Sequence, residues 1–78
     1  MTLTVISSYD TLFRGEADSV TLPGVKGSFT VLKNHAPLIS VLVPGKIVYK
    51  IEGGEAKELE IKGGLADVAE NKISVCVY

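Results

Sequence analysis

The chain has little with which to do covalent chemistry. Among its 78 residues there is one cysteine, one histidine and no tryptophan. The lone thiol, Cys76, forms no internal disulfide, and one histidine with one cysteine cannot complete the tetrahedral set of a structural zinc site. An unpaired thiol fits a reducing compartment such as the cytosol. No charge of one sign dominates: eight basic and nine acidic residues leave a formal charge of −1. No basic run follows a phosphate backbone, so nucleic-acid binding is disfavoured. No apolar run approaches the roughly 20 residues that span a bilayer. The opening MTLTVISSYD has no basic leader and contains an acid, which argues against a signal peptide. Neither GxxxxGK[ST] nor GxGxxG occurs, and no serine sits in a GxSxG elbow. The pairs Gly53-Gly54 and Gly63-Gly64 read as a turn and a bulge rather than phosphate cradles. No cofactor is expected.

What the chain does have is β-forming sequence with turn residues at short intervals. Its length predicts one small domain, residues 1–78, and its 46% of apolar residues suffice for a core. Folding at this size buries roughly 60–65% of the unfolded surface. Stability on the order of 3–5 kcal/mol follows for a domain without staples. A partner that binds only the folded state adds to that.

The stretch Leu22 to Ile39 organises the rest. Leu22-Pro23-Gly24 and Val25-Lys26-Gly27 are turn chemistry, and Pro23 and Pro37 each restrict the preceding residue to extended geometry. Ser28 to Lys33 reads as a strand, with Phe29 and Val31 on one face. Asn34-His35-Ala36-Pro37 reads as a loop before the apolar run Leu38 to Val43. Upstream, Leu3 and Val5 share a face of a first strand, Leu12 to Gly15 reads as a short apolar contact, and Glu16 to Leu22 alternates with Asp18, Val20 and Leu22 together. Lys46 to Lys62 predicts a hairpin. A three-residue loop Gly53-Gly54-Glu55 pairs Tyr49 with Leu59, Ile47 with Ile61 and Lys50 with Glu58. A turn at Glu70-Asn71 pairs Val68 with Ile73 and Ala66 with Val75, and Ser74, Cys76 and Tyr78 face away from Ile73, Val75 and Val77. Two adjacent glycines, each costing roughly 1 kcal/mol in a helix, exclude a helix over residues 50–62. The fold class predicted is all-β: a flattened antiparallel sandwich or barrel.

The chemically capable side chains are few. Glu16/Asp18 and Glu58/Glu60 are i, i+2 carboxylate pairs that read as solvated strand faces. Cys76, between Val75 and Val77, is expected to be a buried, inert thiol. His35 is a loop histidine with no orienting acid in view, so loop structure or partner contact is the expected role. Rigid loops on a sandwich with no catalytic set point to an interaction module.

The order Leu22-Pro23-Gly24, Gly27-Ser28-Phe29, Asn34-His35-Ala36-Pro37-Leu38, Pro44-Gly45, Gly63-Gly64-Leu65 resembles the N-terminal domain of the epsilon subunit of F-type ATP synthase. Leu12-Phe13-Arg14-Gly15 upstream is similar to that family too, so the resemblance covers nearly the whole chain. It implies a flattened sandwich of about ten short strands and a non-catalytic subunit of the rotor's central stalk. The partners implied are the gamma subunit, packed on one side of the sandwich, and the membrane c-ring, met by loops at one end. The complex also contains alpha and beta. Carried over by position, the ring-facing residues are Ser28 and His35, Ala36, Pro37 and Leu38. The implied place is peripheral, on the cytoplasmic face of a bacterial inner membrane. The implied role supports coupling of proton or sodium translocation to ATP synthesis.

Two departures from the family pattern stand out. Many members carry Glu where this chain has Ser28, so an acidic contact to a basic ring loop is missing there. Members also continue into C-terminal helices that inhibit hydrolysis and in some cases bind ATP. The sequence ends at Tyr78: if the chain is complete there, the helices and both roles are expected to be absent, and if it is a piece of a longer chain they lie beyond it. The competing expectation is a generic small β-sandwich binder, or a lipoyl- or biotinyl-type carrier displaying Lys57 near a tight turn, although no carrier motif surrounds Lys57. A small hydrolase using Glu16/Asp18 or His35 is the weakest alternative.

Overall fold

Leu3 and Val5 alternate with Thr2 and Thr4, and the structure buries the first pair completely. The same period builds the rest of the core. The computed structural model describes residues 1–51 and 53–78. The described residues form eight strands and no helix: β1 (Thr2–Ile6), β2 (Thr11–Gly24), β3 (Gly27–Leu32), β4 (Leu38–Leu42), β5 (Gly45–Ile51), β6 (Ala56–Ile61), β7 (Gly64–Ala69) and β8 (Lys72–Val77). The all-β sandwich expectation holds, with eight strands in place of about ten. One reason is that Leu12–Gly15 and Glu16–Leu22 are a single strand, β2, of 14 residues.

That long strand joins the two layers. Its first half pairs with β1, and its second half lies between β3 and β5. The hydrogen-bonded path runs β1-β8-β7-β4-β2-β5-β6, with β3 paired to β2 and β1 parallel to β8. One layer is therefore β4-β7-β8-β1 and the other β3-β2-β5-β6. Between them lies one core, to which Leu3, Val5, Leu22, Leu42, Ile47, Ile73 and Val75 contribute. The Phe13 and Tyr49 rings pack at its margin with centroids 4.4 Å apart.

Two register expectations need correction. Ala17 pairs with Ile51 and Ser19 with Lys50, so Asp18 is the extra residue of a β-bulge. The bulge shifts the alternation by one. Ala17 is buried, while Asp18 leaves the Val20 and Leu22 face and forms an ion pair with Lys33 at 3.5 Å. In the β5–β6 hairpin Ile47 pairs with Leu59, Tyr49 with Lys57 and Lys50 with Ala56. This is two residues off the expected register, with the faces preserved. The cause is the turn. Ile51 N–H donates to Glu55 O at 2.9 Å, so the cross-strand bonding reaches Glu55, just before β6. Gly53 and Gly54, at φ 103° and 94°, both lie before it in a conformation that suits glycine. Lys46, not Lys50, approaches Glu58, at 3.9 Å.

The β7–β8 hairpin matches its expectation, with Val68 opposite Ile73 and Ala66 opposite Val75. Glu70 and Asn71 have φ of 51° and 62°, as a two-residue type I′ turn demands. Asparagine adopts that conformation at a lower cost than glutamate. Glu70→Asn is expected to stabilise the domain by about 0.5–1 kcal/mol, read as a rise in melting temperature of about 3–6 °C. An unchanged or lower melting temperature refutes this reading of the turn.

Candidate protein interface

The run Leu38-Ile39-Ser40-Val41-Leu42 becomes β4, and the period of two splits its apolar residues between faces. Leu42 is buried and Leu38 packs on the core. Ile39 and Val41 point outward, 71% and 54% exposed. Val41 pairs with Leu65 on β7, Leu65 with Cys76 on β8, and Cys76 with Ile6 on β1. Paired residues share a face, so these four make one lateral row across the outer surface of the β4-β7-β8-β1 layer. Leu65 is 47% exposed and Ile6 38%. Cys76 lies in this row, exposed, and not buried as its valine neighbours suggested. Val75 and Val77 take the inner face, and strand alternation sends the thiol outward.

The other layer presents a different surface. Thr21 and Thr30 share a hydroxyl hydrogen bond of 2.9 Å across β2 and β3, and the Lys33–Asp18 and Lys46–Glu58 ion pairs lie on its strands and their flanks. One outer face thus carries an apolar row across four strands, while the other mixes these polar groups with Leu32, itself 58% exposed on β3.

The segments predicted to meet a partner bracket β4. Ser28 is exposed at the start of β3, opposite Pro23 in the β2–β3 hairpin. His35 to Leu38 follows the other end of β3. Ser28 lies four residues before Leu32, roughly 13 Å along the strand, so the two segments sit toward opposite ends of β3. Both are held firmly. Val25 N–H donates to Val41 O at 2.9 Å and Val43 N–H to Pro23 O at 2.9 Å, which pins the hairpin tip to β4. Asn34 N–H donates to Asn71 Oδ1 at 3.0 Å, and His35 N–H to Leu32 O at 3.2 Å. Asn34 has φ of 62°. Asn71→Ala removes the acceptor of Asn34 N–H, leaves β3 on β2 and β4 on β7, and sets alanine at the φ of 62° that Asn71 holds. We expect a stability loss of about 2 kcal/mol, shared between the lost hydrogen bond and the left-handed backbone, with amide exchange rising at Asn34 and His35 before the core strands. Equal protection of that loop in the variant counts against the contact.

What connects the two segments is the outer face of β4, which the sequence reading did not single out. Ile39 is the ridge between two shallow grooves. One is lined by Val25, Lys26, Phe29 and Val41, the other by Pro37, Leu38, Asp67 and Val68. The only sequence signal was an apolar run longer than its buried face required.

The catalytic candidates make structural contacts. His35 Nδ1 lies 2.8 Å from Ala36 O. Glu16 Oε2 accepts from Thr2 Oγ1 at 2.7 Å. Glu58 and Glu60 are exposed on β6. Lys57 sits within β6 opposite Tyr49 and not at the hairpin tip, where a carrier lysine stands.

The sequence matches the family model of the ATP synthase delta/epsilon chain, β-sandwich domain, over residues 1–78. The ATP synthase epsilon chain of Rhodopseudomonas palustris (strain BisA53) is 41% identical over 91% of this chain and 52% of its own length. The epsilon chain of Symbiobacterium thermophilum is 42% identical over 96% of this chain and 54% of its own. That of Leptospira borgpetersenii is 36% identical over 96% and 58%. The chain thus spans little more than half the length of these relatives. Among solved structures, a chain of the Euglena gracilis mitochondrial ATP synthase, in an OSCP/F1/c-ring assembly, superposes with a TM-score of 0.90 at 25% identity. The match covers 96% of this chain and 48% of that one. A chain of the Tetrahymena thermophila central stalk and c-ring shares the fold, with a TM-score of 0.79 at 16% identity over 97% of this chain and 61% of that one.

Proposed function

The chain belongs to the ATP synthase delta/epsilon family through this β-sandwich, and we propose that it is a non-catalytic subunit of the rotor's central stalk. The observation that carries the reading is the exposed row Val41, Leu65, Cys76 and Ile6 on an otherwise ordinary small sandwich. A continuous apolar surface on a thin-cored domain is a surface made to be covered. We assign the gamma subunit to it. The loops around Ser28 and His35-Ala36-Pro37-Leu38 are assigned to the polar side of the c-ring. With one partner on the face and the other on the loops, the sandwich ties gamma to the ring, so that ion-driven rotation reaches the alpha/beta hexamer without slip. No helix among the described residues is long and apolar enough to cross a membrane. The place proposed is peripheral, through the complex, on the cytoplasmic face of a bacterial inner membrane.

A tagged chain is expected to retrieve gamma, alpha, beta and the c-ring from native membranes, identified by mass spectrometry. A folded chain that retrieves none of them overturns the reading and leaves the generic sandwich binder. Changing His35, Ala36 and Pro37 together to Gly-Ser-Gly is expected to release the ring and uncouple ion flow from synthesis. Intact coupling in that variant removes the ring assignment of this loop.

A further inference from the structure

Two strands have no neighbour on their outer side: β3 pairs only with β2, and β6 only with β5. Such edges carry free N–H and C=O groups, which proteins blunt with charge, proline or a bulge. Which groups are free on β3 follows from its hairpin. Gly24 pairs with Gly27 across the tip, and Pro23 O accepts from Val43 N–H, so the next pair, Pro23–Ser28, exchanges no bond. The register has no irregularity, so bonded pairs alternate with open ones, and the bonded ones are Leu22–Phe29 and Val20–Val31. The N–H and C=O groups of Ser28, Thr30 and Leu32 therefore point away from β2. Leu32 O accepts from His35 N–H at 3.2 Å, and the others have no partner among the described residues. No charged residue, proline or bulge lies between Gly27 and Leu32. On β6 the same alternation, started from the Ile51 N–H to Glu55 O bond, turns the backbone groups of Ala56, Glu58 and Glu60 outward. That edge carries carboxylates, and the β3 edge carries none.

We infer that the free chain pairs with a second copy of itself, β3 against β3, in an antiparallel ladder whose two-fold axis passes between the two copies of Thr30. This is the register that uses every free group. Thr30 faces its own counterpart, and Ser28 faces the other copy's Leu32, each pair exchanging both backbone bonds. Phe29, half-buried in the single chain, then lies opposite Val31 on the inner face. No like charges meet. Lys33 falls opposite Gly27 and Lys26 opposite Asn34, and Lys33 is already engaged with Asp18. The β6 edge cannot do the same, because self-pairing centred on Glu58 sets that carboxylate against its own copy, which is destabilising. A symmetric contact of this kind closes at two chains. It joins the two β3-β2-β5-β6 layers into one sheet and leaves the Val41–Leu65 row of the other layer uncovered. The pairing follows from β3 alone and does not depend on the rotor assignment. It does cover Ser28, so self-pairing and the ring contact proposed for that residue exclude one another. The dimer is a form of the chain outside the rotor. Its contact is small, so it exchanges with the monomer.

Sedimentation equilibrium of the purified chain over a range of concentrations is expected to show monomer and dimer. Thr30→Glu and Thr30→Lys each set like charges face to face at the axis, and each is expected to weaken the dimer about tenfold or more. An equal mixture of the two variants sets Glu against Lys and is expected to restore a dimer containing one of each. Thr30 is exposed and its hydroxyl bonds only Thr21, so both variants are expected to fold, which thermal unfolding checks. Amide exchange on the parent reads the register without any substitution. Exchange at Thr30 is expected to slow as concentration rises, while Phe29 and Val31, bonded to β2, are protected throughout. A chain that stays monomeric at every concentration overturns the inference. So does a dimer that both Thr30 variants retain. If Val41→Lys with Leu65→Glu abolishes that dimer, it runs through the apolar row instead. Folded, monomeric Thr30 variants whose mixture stays monomeric overturn the register centred on Thr30.

Discussion

Val41→Lys combined with Leu65→Glu is expected to leave the sandwich folded and to detach it from the rotor. The two residues are directly opposed across β4 and β7, 54% and 47% exposed. Replacing them with opposite charges creates a cross-strand pair worth about 0.2–1 kcal/mol, which offsets the lower strand propensity of Lys and Glu. The net change in stability is therefore expected within about 1 kcal/mol. Binding responds differently. If this row is covered by gamma, each substitution both removes an apolar contact and buries a charge with no partner across the interface. Central interface residues cost about 2 kcal/mol or more each when lost. Two together reach about 4 kcal/mol, or roughly a thousandfold in affinity. Sedimentation of the double variant with a gamma-containing complex separates the cases. A folded variant that still sediments with the complex shows that the apolar row is not the gamma surface.

The elements that were legible in the sequence are those where one local rule decided. In β8, Ile73, Val75 and Val77 alternate with polar residues, and all three are buried. The Glu70-Asn71 turn has a length that fixes register, and its pairs came out as expected. Cys76 shows two rules in conflict. Its sequence neighbours are apolar, but its strand face is that of Ser74 and Tyr78, and the face decides. The bulge at Asp18 was not legible, because an extra residue leaves no mark on the alternation until the partner strand is known. The β5–β6 register moved by two for a related reason. Face matching accepts any even shift, and only the position of Gly53 and Gly54 within the turn selects one. Of the predicted contact segments, His35 to Pro37 lies in the loop between β3 and β4, while Ser28 falls within β3 and Leu38 opens β4. The strip joining them was missed because Leu38 to Val43 is apolar on both faces. Such a run reads as a doubly buried strand, and here one of its two faces is left uncovered by this chain.

Gly64→Ala is expected to unfold the domain at ordinary temperature. A Cβ built on Gly64 collides with the carbonyl oxygen of Cys76 and lies 3.1 Å from both the Cys76 carbonyl carbon and the Val77 Cα. All three atoms are backbone, in the strand to which Gly64 is paired, and Val77 is its register partner. No rotamer change relieves the clash. Either β7 and β8 separate at that end or the strand shifts and pulls Ala66 and Val68 out of the core. Overpacking costs about 1–3 kcal/mol where side chains yield, and more where only backbone is left to move. Set against the 3–5 kcal/mol or so that such a domain has in total, the loss leaves little folded protein. The hairpin glycines give the contrast. At Gly53 and Gly54 a Cβ meets nothing within 4 Å, and only the positive φ is penalised. Alanine at either is expected to cost about 1 kcal/mol and to leave a cooperative transition at a lower temperature. Thermal unfolding of the three single variants by circular dichroism decides the matter. If Gly64→Ala melts as high as Gly53→Ala, the close approach of β7 to β8 is not as tight as the structure places it. If it is unfolded while the hairpin variants melt normally, Gly64 is there to let two backbones touch, and the hairpin pair only to turn the chain.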